Sequence, residues 1–196
     1  MAKSFGVLLK VANYRFSSLI LRVITAFGLL VVMGSCSDGK PPTGRMPPVL
    51  TLGKAAPDFA FQMIQDGEFN PEHATDSLNN YKGKVVYLDF WASWCKPCLK
   101  SMPLLNDLRA ELGRDDFEVI AVNLDINASL GQEFLADHPV DYLVVRTDDS
   151  INELYKIKGL PTSYFIDKDG ILRYAHQGFK VEDMKKIRQQ LMSLLK

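Results

Sequence analysis

Two cysteines stand two residues apart in the segment FWASWCKPCLKSMP, Phe90 to Pro103. A Cys95–Cys98 pair could clip a metal, anchor a haem, staple a fold or shuttle electrons between thiol and disulfide. Structural zinc takes four Cys or His ligands, usually as two close pairs, whereas His73, His138 and His176 are solitary and widely spaced. Covalent haem attachment needs Cys-x-x-Cys-His, but Leu99 follows Cys98. Four-cysteine iron–sulfur ligation exceeds what three cysteines supply. As a staple, so short a loop removes little chain entropy compared with a long-range bridge. Thiol–disulfide chemistry remains, with no metal and no cofactor expected.

The neighbouring residues suit that chemistry. Upstream, KVVYLDFW is an apolar run of strand length, rich in β-branched and aromatic residues. Downstream, Leu99, Met102, Leu105 and Leu108 recur every three residues towards Leu112, and Gly113 ends the run, which predicts a helix. Cys95 then falls in a first helical turn, where unpaired N–H groups and the positive dipole end stabilise a thiolate. Cys98 lies a turn further in, placed to attack a mixed disulfide on Cys95. Pro97 lacks an N–H, no loss in a first turn. Lys96 adds a positive charge, and Trp94 offers an apolar rim for a partner. Pro103 falls inside the helix and is expected to kink it, an interior proline costing about 3 kcal/mol.

Asp89 is the one charged residue in the apolar strand. It is either an edge residue facing solvent or a buried acid with a raised pKa, able to take the proton from Cys98.

The elements that must position these groups read as strands alternating with helices, closed by a hairpin and a helix. Strands are expected within Asp58–Ile64, in FEVIAVNL, in DYLVVR, and in TSYFID and ILRYA flanking a DKDG turn. Helices are expected in SLGQEFLADH, with Ser129 as N-cap, in SINELYKI, and from Val181 through Met184, Ile187, Leu191 and Leu194. DGEFNPEHATDSLNNYKGK reads as a polar loop or insertion. The fold class is α/β, a mixed central sheet flanked by helices.

The chain has 196 residues with formal net charge zero, so nothing suggests a nucleic-acid footprint. The first 36 residues hold four of the 23 basic residues and none of the 23 acidic ones, leaving 19 against 23 and a net charge of −4 beyond them. VITAFGLLVVM is too short for a bilayer span, which takes about 20 residues, but fits the apolar core of a secretory signal. The following MGSC resembles the lipobox of bacterial lipoproteins, which implies cleavage before Cys36 and lipid on its thiol. SDGKPPTGRMPP, with four prolines, reads as a semi-extended linker. The expected organisation is a signal peptide at 1–35, a lipid-anchored linker at 36–49 and one domain at 50–196. Lipidation of Cys36 leaves Cys95 and Cys98 as the only thiols of the exported domain.

Taken together, VYLDFWASWCKPCLKSMP and GLPTSYFIDKDG resemble the active-site segment and cis-proline loop of the thioredoxin superfamily. With LGKAAPDFAF, SLNNYKGKVVYLDFWASWC and YKIKGLPTSYFID, the chain from residue 50 onward is most similar to TlpA/ResA-type thiol–disulfide oxidoreductases. The resemblance implies a thioredoxin-like fold, with Cys95 as nucleophile and Cys98 as resolving thiol. It implies Pro161 as a cis-proline packed against the disulfide, Leu160 offering backbone to a partner peptide, and Asp89 as proton acceptor. Substrate contacts would come from Trp94, Lys96, Pro97, Leu160 and Pro161. Implied partners are exported proteins carrying thiols or disulfides and a membrane reductant, with the domain held in the bacterial cell envelope through Cys36. Two positions depart from many ResA-like chains: Ser101 stands where they have Glu, and Asp89 where they often have Asn. Two rivals remain. One is a peroxiredoxin-like peroxidase acting on small peroxides: GKAAPDF is shared with such chains, though the threonine of their cysteine motif is missing here. The other is a tethered binding module with an inert disulfide.

Overall fold

The computed structural model describes residues 50–196; the expected signal segment, Cys36 and the linker lie outside them. Seven strands form one mixed sheet: β1 (Ala60–Met63), β2 (Asp76–Ser77), β3 (Val85–Trp91), β4 (Phe117–Asn123), β5 (Leu143–Arg146), β6 (Thr162–Ile166) and β7 (Leu172–Gln177), in the order β2-β1-β5-β4-β3-β6-β7. Four helices accompany them: α1 (Lys96–Leu112), α2 (Ala128–Asp137), α3 (Ile151–Leu154) and α4 (Asp183–Leu194). The mixed α/β architecture read from the sequence holds.

β3 is buried at all seven positions, which is why it reads as one apolar run rather than an alternating one. It runs parallel to β4 and antiparallel to β6. Its side chains alternate between two cores. Val85, Tyr87 and Trp91 join α1 and α4 residues such as Met102, Leu105, Ile187 and Leu191. Val86, Leu88 and Phe90 join Phe59, Phe61, Ile151 and Tyr155 on the other face.

Several local expectations change. Ser129 is not an N-cap: α2 starts at Ala128 after Asn127, without a side-chain cap. Instead Glu68 Oε1 accepts the Ala128 N–H at 2.6 Å. The capping acid thus comes from the segment read as an insertion. That segment also contributes β2, two residues long, which pairs with β1. Val181 lies before α4 and is exposed; Ile187 and Leu191 carry the buried stripe. Helix α1 continues through Pro103 for 17 residues. The DKDG turn closes as expected, with Gly170 at φ 79°, where a side chain would be strained.

One buried ion pair pins α1 to the sheet. Arg109 donates Nε to Glu118 Oε1 at 2.5 Å and Nη2 to Oε2 at 2.8 Å, and Nη1 to the Asp141 carbonyl at 2.8 Å. Removing one partner leaves an uncompensated buried charge, at a cost of about 3–5 kcal/mol. We expect Arg109→Met to lower stability by about that amount in denaturant unfolding; a loss below about 1 kcal/mol, the scale of a surface pair, would mean that Glu118 is relieved by solvent.

Candidate functional site

The sheet register decides what meets the cysteines. Because β6 is antiparallel to β3, Phe90 pairs with Thr162, so the chain entering β6 lies beside the end of β3. The Leu160–Pro161 peptide bond there is cis. Leu160 packs against the core cluster that contains Cys95 and Cys98. Neither its N–H nor its carbonyl takes part in a hydrogen bond among the described residues, whereas the Pro161 carbonyl accepts from Gly178 N–H at 2.7 Å.

Leaving β3, residues 92–94 turn sharply and Cys95 N–H donates to the Ala92 carbonyl at 3.0 Å. Cys95 is the N-cap of α1. Its Sγ accepts the Cys98 N–H at 3.3 Å, and its carbonyl accepts from Cys98 and Leu99. The two cysteines form a disulfide with a Cα–Cα distance of 5.3 Å. Both cysteines are buried. Lys96 and Pro97 fill the first turn, and Trp94 beside them is 68% exposed. Ser101 is buried, and its hydroxyl donates back to the Cys98 carbonyl at 3.1 Å, so no acid reaches the pair from that position.

Asp89 is not an edge residue. It pairs with Ala121 on one side and Ser163 on the other, 2% exposed. By strand alternation it points to the face of Tyr87 and Trp91, the face that carries both cysteines. Its Oδ2 has no hydrogen-bond partner, nor do Tyr142 OH and Trp91 Nε1 on the same side of the sheet. Burial pushes the Asp89 carboxyl up to about 8. The Tyr142 phenol is also raised, first by burial and then by the Asp89 charge. At neutral pH Asp89 is a largely protonated acid with a free oxygen.

Sequence reading missed a second group at this end of the sheet. Asp125, one residue past Leu124 at the end of β4, accepts the Ser93 N–H at 3.2 and 3.0 Å on its two oxygens. It also accepts Ser93 Oγ at 2.9 Å and Asn123 Nδ2 at 2.7 Å. Arg146 at the end of β5 donates Nη1 to Asn123 Oδ1 at 3.0 Å and to the Asp125 carbonyl at 2.8 Å, and Nη2 to Glu68 Oε2 at 3.0 Å. The available signal was position: parallel strands gather functional groups at their carboxyl ends. Among the described residues no group of three or more His, Cys, Asp or Glu side chains could hold a metal ion, and no helix is long and apolar enough to cross a membrane.

A family model described as the AhpC/TSA family matches residues 52–175. The thiol–disulfide oxidoreductase ResA of Oceanobacillus iheyensis is 32% identical over 163 residues, 83% of this chain and 79% of that one. Among solved structures, a protein described as the thiol:disulfide interchange protein DsbE of Chlorobium tepidum superposes with a TM-score of 0.67 and 38% identity, over 75% of this chain and 99% of that one. The exposed lipoprotein thioredoxin of Streptococcus pneumoniae superposes at 0.54 with 32% identity, over 70% and 100% respectively.

The Asp89 environment has a thermodynamic consequence. Its folded pKa, about 8, lies above the ordinary 3.8 of an exposed aspartate. The folded state therefore binds the proton more tightly, and stability is lost as pH rises from about 4 through 8. The slope from one such group is about 1.4 kcal/mol per pH unit. We expect denaturant midpoints of the oxidised protein to fall across that range, and Asp89→Asn to flatten the fall and be the more stable form at pH 8. Identical pH profiles for the two proteins would show that Asp89 is not desolvated in solution.

Proposed function

The chain belongs to the AhpC/TSA family as a thioredoxin-fold thiol–disulfide oxidoreductase, and we propose that it uses Cys95 and Cys98 to reduce disulfides in exported partner proteins. The observation that carries this reading is Cys95 at the α1 N-cap, its sulfur already accepting an N–H from Cys98. In the reduced protein the same donor and the helix dipole would hold a Cys95 thiolate.

The exchange runs in two displacements. The Cys95 thiolate attacks one sulfur of the partner disulfide; the S–Cys95 bond forms, the partner S–S bond breaks, and the partner's leaving sulfur takes a proton. Cys98 then gives its proton to the Asp89 carboxylate and attacks Cys95 sulfur, which releases the partner's second thiolate. Two electrons have passed to the partner, and the Cys95–Cys98 disulfide remains. A membrane-bound thiol donor returns them. Trp94, Lys96 and Pro97 on one side and the open backbone of Leu160 beside Pro161 on the other form the rim that receives the partner segment. The free backbone groups of Leu160 support strand-like pairing of that segment.

On this reading Cys98→Ala stalls the reaction with a partner attached to Cys95, and mass analysis of the trapped species should map the link there. Recovery of no Cys95-linked species would favour an inert disulfide. With Asp89 as proton acceptor, exchange should rise with pH towards about 8, and Asp89→Asn should slow it by about a hundredfold and remove that rise. An unchanged pH–rate profile removes Asp89 from the mechanism.

We also propose that residues 1–35 are a signal peptide, that lipid on Cys36 tethers the domain to the bacterial cell envelope, and that 36–49 is a spacer. The basic start, the eleven-residue apolar core and the MGSC sequence support this. Membrane-extracted protein should begin at a diacylglyceryl-modified Cys36; a retained Met1 would mean an uncleaved anchor.

A further inference from the structure

The loop that presents Cys95 is fastened to a buried cluster with two opposite charges. Ser93, two residues before Cys95, gives both its N–H and its hydroxyl to Asp125. Asp125 is 3% exposed, Asn123 3% and Arg146 8%. Asn123 bridges the two charges: its amide nitrogen donates to Asp125 Oδ2, and its amide oxygen accepts from Asp125 N–H and Arg146 Nη1. Arg146 is further held by Glu68, whose other oxygen starts α2. Gln62, paired with Arg146 across β1 and β5, fixes the Glu68 segment by donating to the Glu68 carbonyl and accepting from Asn70 N–H.

We propose that Asp125 and Arg146 are positioning residues for the redox couple: the Asn123-bridged pair holds the Ser93–Cys95 turn and, through the balance of its two charges, sets how readily Cys95 ionises. The inference rests on the exchange reading above for its functional meaning. One residue, Trp94, separates the hydrogen-bonded Ser93 from Cys95, so chain reach keeps the Asp125 carboxylate within about 14 Å of the sulfur. At that range in a partly desolvated site, a unit charge moves a thiol pKa by about half to one unit. Asp125 opposes a Cys95 thiolate. Arg146, one hydrogen-bond layer behind it, favours the thiolate more weakly and is itself offset by Glu68. Opposing the thiolate raises its energy, so Asp125 makes the dithiol the stronger reductant. Other charged groups near the site along the chain are Lys96 and Lys100 on α1, Asp89 on β3, and Lys158, three residues before Pro161. They stay constant between variants and drop out of the difference.

The arrangement also gives the Glu68–Asp76 segment a role. It supplies the counter-charge that holds Arg146, so a change there reaches the redox turn through hydrogen bonds alone.

The test uses the full chain, reduced, with the alkylation rate of Cys95 followed against pH by mass mapping. Asp125→Asn should lower the Cys95 pKa by about half to one unit. Arg146→Met should raise it by a smaller amount. Arg146→Lys, which keeps the charge and loses the forked hydrogen bonds, should return it to near the wild-type value even if stability falls. The signs are opposite because the charges are, and the equilibrium with glutathione should follow: a less negative potential for Asp125→Asn, a more negative one for Arg146→Met. If both variants shift Cys95 in one direction, or both lower stability with its pKa unmoved, the charge balance is refuted and the cluster is only a clamp. Failure of the exchange reading looks different. Wild-type Cys95 would then alkylate like an ordinary thiol and trap no partner, while the differences between variants would still test the cluster.

Discussion

The arrangement depends on β3 being paired on both sides, parallel to β4 and antiparallel to β6. The parallel pairing sends the ends of β3 and β4 out at the same edge, so Cys95 and Asp125 emerge together. The antiparallel pairing sends the start of β6 to that edge as well, which brings the Leu160–Pro161 bond alongside. None of these three features is near another in the chain. A one-residue slip of β3 would turn Tyr87 and Trp91 to the wrong core and carry Asp89 away from the cysteine face. The burial of all seven β3 side chains is therefore what fixes the site, and its hydrophobic registration is specified on both faces at once.

Within that frame, two kinds of buried acid serve different ends. Glu118 faces Arg109 with two hydrogen bonds and a further one to its own Val119 N–H, so its charge is compensated and its role is structural. Asp89 has desolvation and a free Oδ2. A carboxyl left unpaired in a core is destabilising at every pH where it ionises. A fold optimised for stability alone would place Asn or an apolar residue there, and the surrounding strand shows that apolar residues fit. On the proposed exchange mechanism, the stability lost at Asp89 is offset by a proton acceptor on the sheet face that carries both cysteines.

How much of this was legible in the sequence follows from the range of each interaction. The buried strands read clearly because burial on both faces leaves an uninterrupted apolar run. The cysteine pair read clearly because its logic is local: strand end, helix start, proline in the first turn. Asp89 stood out as a lone charge in such a run, although whether it faced solvent or core needed the sheet order. Ser129 misled because the real donor of a cap to α2, Glu68, is 60 residues away. β2 was invisible, two polar residues having no periodicity. Asp125, Arg146 and Glu68 carry no signal in the sequence, since the bonds that define them span 32 and 78 residues.

The contrast between Asp89 and Asp125 carries this furthest. Both are buried at the same end of one sheet, and both come from apolar strands or their ends. Asp125 has two donors on each oxygen; Asp89 leaves Oδ2 with none. Asp125, with donors on both oxygens, is an anchor for the Ser93 turn. An acid with an open oxygen in a dry core can gain and lose a proton with little rearrangement. Environment alone sets these two carboxylates apart: Asp125 is hydrogen-bonded to the turn that presents Cys95, and Asp89 lies on the sheet face that carries both cysteines with an oxygen left open.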